Sequence, residues 1–159
     1  MKIEANSTKI HPTAIIHPSA ELAADVVVGP YAVVDEEVKI GNGCSIQAHA
    51  RIAPYTTIGD RCEIYSFASV GTPPQDLKFD GRRTETIIGN DNKIREFVTI
   101  NRGSIGEEEG VTRIGDNCLF MAYSHVAHDC IIGNHVIMAN AATLAGHVII
   151  QDHAILGGL

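Results

Sequence analysis

The chain has 159 residues, room for one domain and a small appendage at most. Hydrophobic residues make up 45 % of it and aromatic residues 5 %, with no Trp, so a disordered chain is excluded and the core must be built of Ile, Val, Ala and Leu. Twelve Lys and Arg against 19 Asp and Glu give a net charge of −7, and with no long basic run this speaks against nucleic acid as a partner. No stretch approaches the ~18 apolar residues of a membrane span. The first residues lack the apolar core of a signal peptide, so a cytoplasmic protein without membrane insertion is expected.

In chain order, an aliphatic residue recurs every six positions at Ile10, Ile16, Leu22, Val28, Val34, Ile40, Ile46, Ile52, Ile58, Ile64 and Val70. The register resumes at Ile88, Ile94 and Ile100, and again from Ile114 through Phe120, Val126, Ile132, Met138, Leu144 and Ile150 to Leu156. Four positions after each aliphatic residue stands a small or β-branched one, as at Ala14, Ala20, Val26, Ala32 and Val38. A period of six gives no continuous apolar face on a helix, whose period is 3.6. It suits a two-residue strand and a tight turn, three of which close a coil of 18 residues stacked on its neighbours at ~4.8 Å. About seven coils then form a single all-β prism on the order of 34 Å tall. Cys44, Cys62, Cys118 and Cys130 all occupy the small inward position, which makes them core filling and leaves them reduced.

The ladder breaks twice, at about residues 73–87 and 103–113, and loops on a rigid scaffold are a usual place for function. Glu107–Glu109 in the second reads as a solvated tip. Counting three hexads per coil puts Val70, Ile100, Val126 and Leu144 in one column, so both loops leave the prism near the corner that carries His128, with His147 one coil above. His125, just before Val126, is expected to point outward beside that corner. His11, His17, His49, His135 and His153 fall on turn or outward positions without company.

His128 is the natural general base, since an imidazole titrates near neutrality. Asp129, projecting outward beside it, can hold its tautomer. The Gly146 N–H can serve as an oxyanion donor because glycine permits close approach. Lys78 and Arg82 offer positive charge to a phosphate or carboxylate.

Four strings, Gln75-Asp76-Leu77-Lys78-Phe79, Ile100-Asn101-Arg102-Gly103, His125-Val126-Ala127-His128-Asp129-Cys130 and Leu144-Ala145-Gly146-His147-Val148, together resemble the acyl-carrier-protein-dependent UDP-N-acetylglucosamine O-acyltransferases. The resemblance implies a left-handed parallel β-helix of hexapeptide repeats. It implies transfer of a (3-hydroxy)acyl group from acyl carrier protein to the glucosamine 3-hydroxyl of UDP-N-acetylglucosamine, the first step of lipid A biosynthesis. By position it assigns His128 as base, Asp129 as its orienting partner and Gly146 as oxyanion donor. Gln75, Asp76, Lys78, His125 and His147 match substrate-contacting positions. It further implies a homotrimer and no cofactor or metal, the acyl donor arriving on the phosphopantetheine of its carrier protein. Leu159 falls four residues into a hexad where the family continues with more coils and a helical C-terminal domain, so that part is expected to be absent. Two rivals share the fold: the sister N-acyltransferase, which normally begins with a separate nucleotide-binding domain, and a trimeric zinc hydratase with His125, His128 and His147 as ligands.

Overall fold

Each hexad becomes a short strand and a tight turn: an outward residue, an inward aliphatic one, then a corner closed by a small inward side chain. In the computed structural model, which describes residues 8–104 and 110–159, 22 strands run from β1 (Lys9–Ile10) to β22 (Ile155–Leu156). Every third strand joins the same sheet, giving three parallel sheets of eight, seven and seven strands. These are the faces of a triangular, left-handed parallel β-helix, and no helical element interrupts residues 10–70.

Pairing follows the 18-residue step, as in Lys9 with Val27 and Val27 with Ser45. The inward positions form one column of packed side chains, with Ile46, Ile52, Ile64, Ile94, Ile100, Phe120 and Met138 almost wholly buried. All four cysteines are buried free thiols, and Cys44 and Cys62 are stacked, the Cys62 N–H lying 3.3 Å from the Cys44 Sγ.

The turns carry a residue in the left-handed region every six positions, from Asp25, Tyr31 and Glu37 to Asp129, His135, Ala141, His147 and His153, with φ between 52° and 65°. At one corner, Asx side chains bind the coil below: Asp60 N–H donates to Asn90 Oδ1 at 2.8 Å, and Asp116 N–H to Asn134 Oδ1 at 2.8 Å. Gly59 is required there, because a Cβ would sit 2.6 Å from Asn90 Oδ1. At a second corner Tyr31, His49, Phe67, Phe97 and Tyr123 stack ring on ring, with centroids 4.9–5.1 Å apart.

Three expectations are corrected. The loops are shorter than the broken register suggested: β12 (Glu85–Ile88) and β15 (Val111–Ile114) pair along all four residues, so the returning chain is already sheet before the next hexad begins. The lone histidines have company: His49 lies inside the ring stack, His135 and His153 stack at 4.8 Å, and His11 and His17 bond Thr13 and Ser19. The 18-residue repeat puts like turn positions directly above one another. The third correction, the burial of Asp129, belongs to the site. Glu107–Glu109 lie outside the described residues.

Candidate active site

Val70, Ile100, Val126 and Leu144 do form one column, each paired with the next on a single sheet. Both loops therefore leave at the corner where β17 (His125–Val126) and β20 (Thr143–Leu144) turn into the following face. The turn after β17 carries Ala127, His128 and Asp129, and the turn after β20 carries Ala145, Gly146 and His147. Asp129 and His147 take the left-handed turn position, with φ of 57° and 62°.

His128 Nδ1 donates to Asp129 Oδ2 at 2.9 Å. The Asp129 carboxylate is 3 % exposed, against 18 % for the His128 side chain. Adjacent residues at a turn were expected to project together into solvent. Instead Asp129 is buried, and Ser104 N–H donates to both its oxygens at 3.2 and 3.0 Å. The Asp129 N–H is taken up by Thr112 Oγ1 at 2.9 Å. A buried carboxylate needs such donors, and these also fix which oxygen faces His128.

Gly146 lies against the His128 ring. A Cβ there would come within 2.7 Å of Nε2 and 2.5 Å of Cε1, so only glycine leaves room for the imidazole in this seat. His147 packs edge-on to His128, centroids 5.0 Å apart, with Nε2 3.9 Å from Asp129 Oδ2.

Asp76, half-buried in the first loop, accepts from Lys78 N–H at 3.0 Å and from Ser104 Oγ at 2.8 Å. The Lys78 amide, then the Ser104 hydroxyl, hold its pKa below the usual carboxylate range. Gln75 and Lys78 are exposed on the same loop. His125 stands apart on the outer face of the sheet, its Nδ1 2.7 Å from Thr99 Oγ1, and burial pushes its pKa down. His128, Asp129, Gly146, His147 and Asp76 are thus brought together, and His125 is not.

The zinc rival's three-histidine set does not form among the described residues. The donors that fall within 4.8 Å of one another are those of His128, Asp129 and His147. Asp129 accepts from the Ser104 amide on both oxygens and from His128 on one, which makes an oriented acid–imidazole pair.

The sequence pattern missed Ser104, Thr112 and Arg102. Arg102 is 7 % exposed, lies between the rings of Tyr55 and Phe79 at 5.7 and 5.6 Å, and leaves its Nε without a partner. Nothing in a hexad count marks these positions, since their roles come from how the loops fold back.

The bacterial transferase hexapeptide family (six repeats) matches residues 37–72 and 112–146. The acyl-[acyl-carrier-protein]–UDP-N-acetylglucosamine O-acyltransferase of Thermodesulfovibrio yellowstonii is 53 % identical over 146 residues, covering 92 % of this chain and 56 % of that protein. The corresponding protein of Campylobacter concisus is 49 % identical over 94 % of this chain and 57 % of its own length. Among solved structures, LpxA from Acinetobacter baumannii superposes with a TM-score of 0.92 at 48 % identity, over 94 % of this chain and 57 % of that one. UDP-N-acetylglucosamine acyltransferase from Campylobacter jejuni gives 0.90 at 50 % identity, over 95 % and 58 %. The chain spans little more than half the length of the relatives it matches. Its repeats, its fold and its likeness over nearly all its residues make it similar to the acyl-[acyl-carrier-protein]–UDP-N-acetylglucosamine O-acyltransferases over the part of them that it spans.

Proposed function

We propose that the chain carries the acyl-transfer site of an enzyme that moves a (3-hydroxy)acyl group from acyl carrier protein to the 3-hydroxyl of UDP-N-acetylglucosamine, the opening step of lipid A biosynthesis. The observation that carries this reading is the His128–Asp129 pair at 2.9 Å, seated against Gly146 at the corner where both loops leave. Relatives named for this reaction give it its substrates.

With Nδ1 donating to Asp129, His128 Nε2 has its lone pair available to take a proton. The sugar hydroxyl attacks the thioester carbonyl as Nε2 removes its proton. The Gly146 N–H donates to the tetrahedral oxyanion. Collapse breaks the carbon–sulfur bond, and the departing phosphopantetheine thiolate takes the proton back from the imidazolium. Ester and free carrier thiol are the products, and proton and charge balance without a metal or organic cofactor. Asp129, buried and hydrogen-bonded to Nδ1, favours the imidazolium between the two steps. Asp76, Gln75, Lys78 and His147 contact the acceptor, and His125, apart on the outer face of the sheet, contacts substrate where that face completes the site of a neighbouring protomer.

The working assembly in this reading is a cytoplasmic homotrimer, with the outward face of one protomer completing the site of the next. No helix among the described residues is long and apolar enough to cross a membrane. The test is acyl transfer from loaded carrier protein to UDP-N-acetylglucosamine, run on this chain and on a C-terminally extended form. Ester formation that depends on His128 supports the proposal. Transfer to the amine of an already O-acylated UDP-glucosamine instead would move the chain to the sister N-acyltransferase.

A further inference from the structure

Ser104 touches two carboxylates that the sequence keeps far apart. Its amide N–H donates to both oxygens of Asp129, at 3.2 and 3.0 Å, and its hydroxyl donates to Asp76 Oδ2 at 2.8 Å. Ser104 itself is 2 % exposed, so water does not compete for either bond. The other Asp76 oxygen accepts from the Lys78 amide, and the Phe79 amide donates to the Asp76 carbonyl, so Asp76 anchors the first turn of its loop. On the far side, Asp129 Oδ2 receives His128 Nδ1 at 2.9 Å. One residue of the second loop therefore stands between the first loop and the imidazole.

We propose that Ser104 is a positioning residue that ties the first loop, through Asp76, to the His128–Asp129 pair, so that the acceptor-binding loop and the base are held in one geometry. This deepens the acyl-transfer reading and rests on it for its catalytic meaning. The two bonds divide the work: the amide fixes the Asp129 carboxylate, and the hydroxyl fixes the loop. A serine or threonine can do both, whereas alanine keeps only the amide. Arg102 supports the same loop from beneath, with its guanidinium beside the Phe79 ring and the Gly71 carbonyl.

The test uses Ser104→Ala, Ser104→Thr, Asp76→Asn and the double variant Ser104→Ala/Asp76→Asn. Hydrogen exchange reads the loop, the His128 ¹⁵Nδ1 resonance reads the imidazole, and kcat and KM for UDP-N-acetylglucosamine read the site. Ser104→Ala is expected to speed exchange at the Lys78 and Phe79 amides about tenfold, with the strand amides unchanged. It is expected to move the His128 Nδ1 resonance and to lower kcat/KM about tenfold, and Ser104→Thr is expected to restore all three. The double variant is expected to lose less than the sum of the two single losses, since both substitutions act on the same link. Unchanged loop exchange and an unmoved Nδ1 resonance in a folded Ser104→Ala protein would overturn the proposal, as would losses that simply add. If Ser104→Ala fails to fold, the additional arm is Asp76→Ala, which leaves the Ser104 hydroxyl without this acceptor: an Nδ1 resonance moved further than in Asp76→Asn, which removes the same charge but keeps an acceptor, supports the link, and equal shifts overturn it. A wild-type chain, also extended, that transfers no acyl group would refute the reaction while leaving the exchange and resonance results to judge the link by themselves.

Discussion

His128 is the residue on which the chemistry turns, and its neighbours explain both what it does and what its loss should cost. General-base assistance is worth about 10²–10⁴-fold, so His128→Ala is expected to lower turnover by that much in steady-state assays. The ring is a partly exposed turn residue outside the buried column, so the melting temperature should stay nearly unchanged. Gly146→Ala should cripple the same step by a different route, since its Cβ would take the space of the imidazole and force it out of line with Asp129. A variant that kept full turnover would disprove the seat described for His128. His125 gives a separate, pH-dependent signature. Burial holds its pKa below 6.5, so the folded protein keeps it neutral while the unfolded chain takes up a proton. Stability from this residue is complete above about pH 6.5 and is lost as pH falls through that value toward the lowered one. His125→Gln should therefore lessen the fall in stability as the pH drops below about 6.5, measured by urea unfolding. Of the site, His128, His147 and Gly146 were legible, because the hexad count puts them at one corner. The burial of Asp129 and the part played by Ser104 were not, because they depend on the path of an irregular loop that has no period to read.

At the scale of the repeating element, the inward residue of each strand was written plainly in the sequence, and the turn was not. Its left-handed residue is Asp, Tyr, Glu, His, Arg, Phe, Asn or Ala in different coils, and glycine at Gly43. Left-handed φ disfavours all but glycine locally, so the conformation is imposed by closing the coil and offset by stacking with the turns above and below. The Tyr31–His49–Phe67–Phe97–Tyr123 column is one such offset. Stacked aromatic pairs contribute roughly 0.5–1.5 kcal/mol each beyond burial, and Phe67 has a ring on both sides. Phe67→Ala is expected to destabilise by about 1–3 kcal/mol through this stacking alone, read as a lower midpoint in chemical denaturation. Tyr31→Ala, at the end of the column with one ring neighbour, should cost about half as much.

Across the whole molecule, an 18-residue coil makes contact with the coil above and the coil below, so stability is a sum of similar interfaces rather than the property of one central core. That is why the fold was readable from spacing: each aliphatic residue answers to the same local rule, and 22 repetitions of it leave no competing pattern. Handedness was not readable in this way, since ordinary parallel crossovers are right-handed and only family likeness pointed to the opposite sense. The same geometry makes the cost of a core substitution depend on its height in the stack. Ile94 is fully buried, with Ile64 paired on one side and Phe120 on the other. Ile10 is 47 % exposed and, among the described residues, pairs with Val28 alone. Truncating a buried Ile removes its transfer energy and leaves a cavity that the rigid strands on either side cannot close, at about 2–5 kcal/mol. Ile94→Ala is expected to fall in that range and Ile10→Ala well below it, both measured by equilibrium denaturation. Equal losses at the two positions would mean that the coils do not share stability with their neighbours in the way the ladder requires.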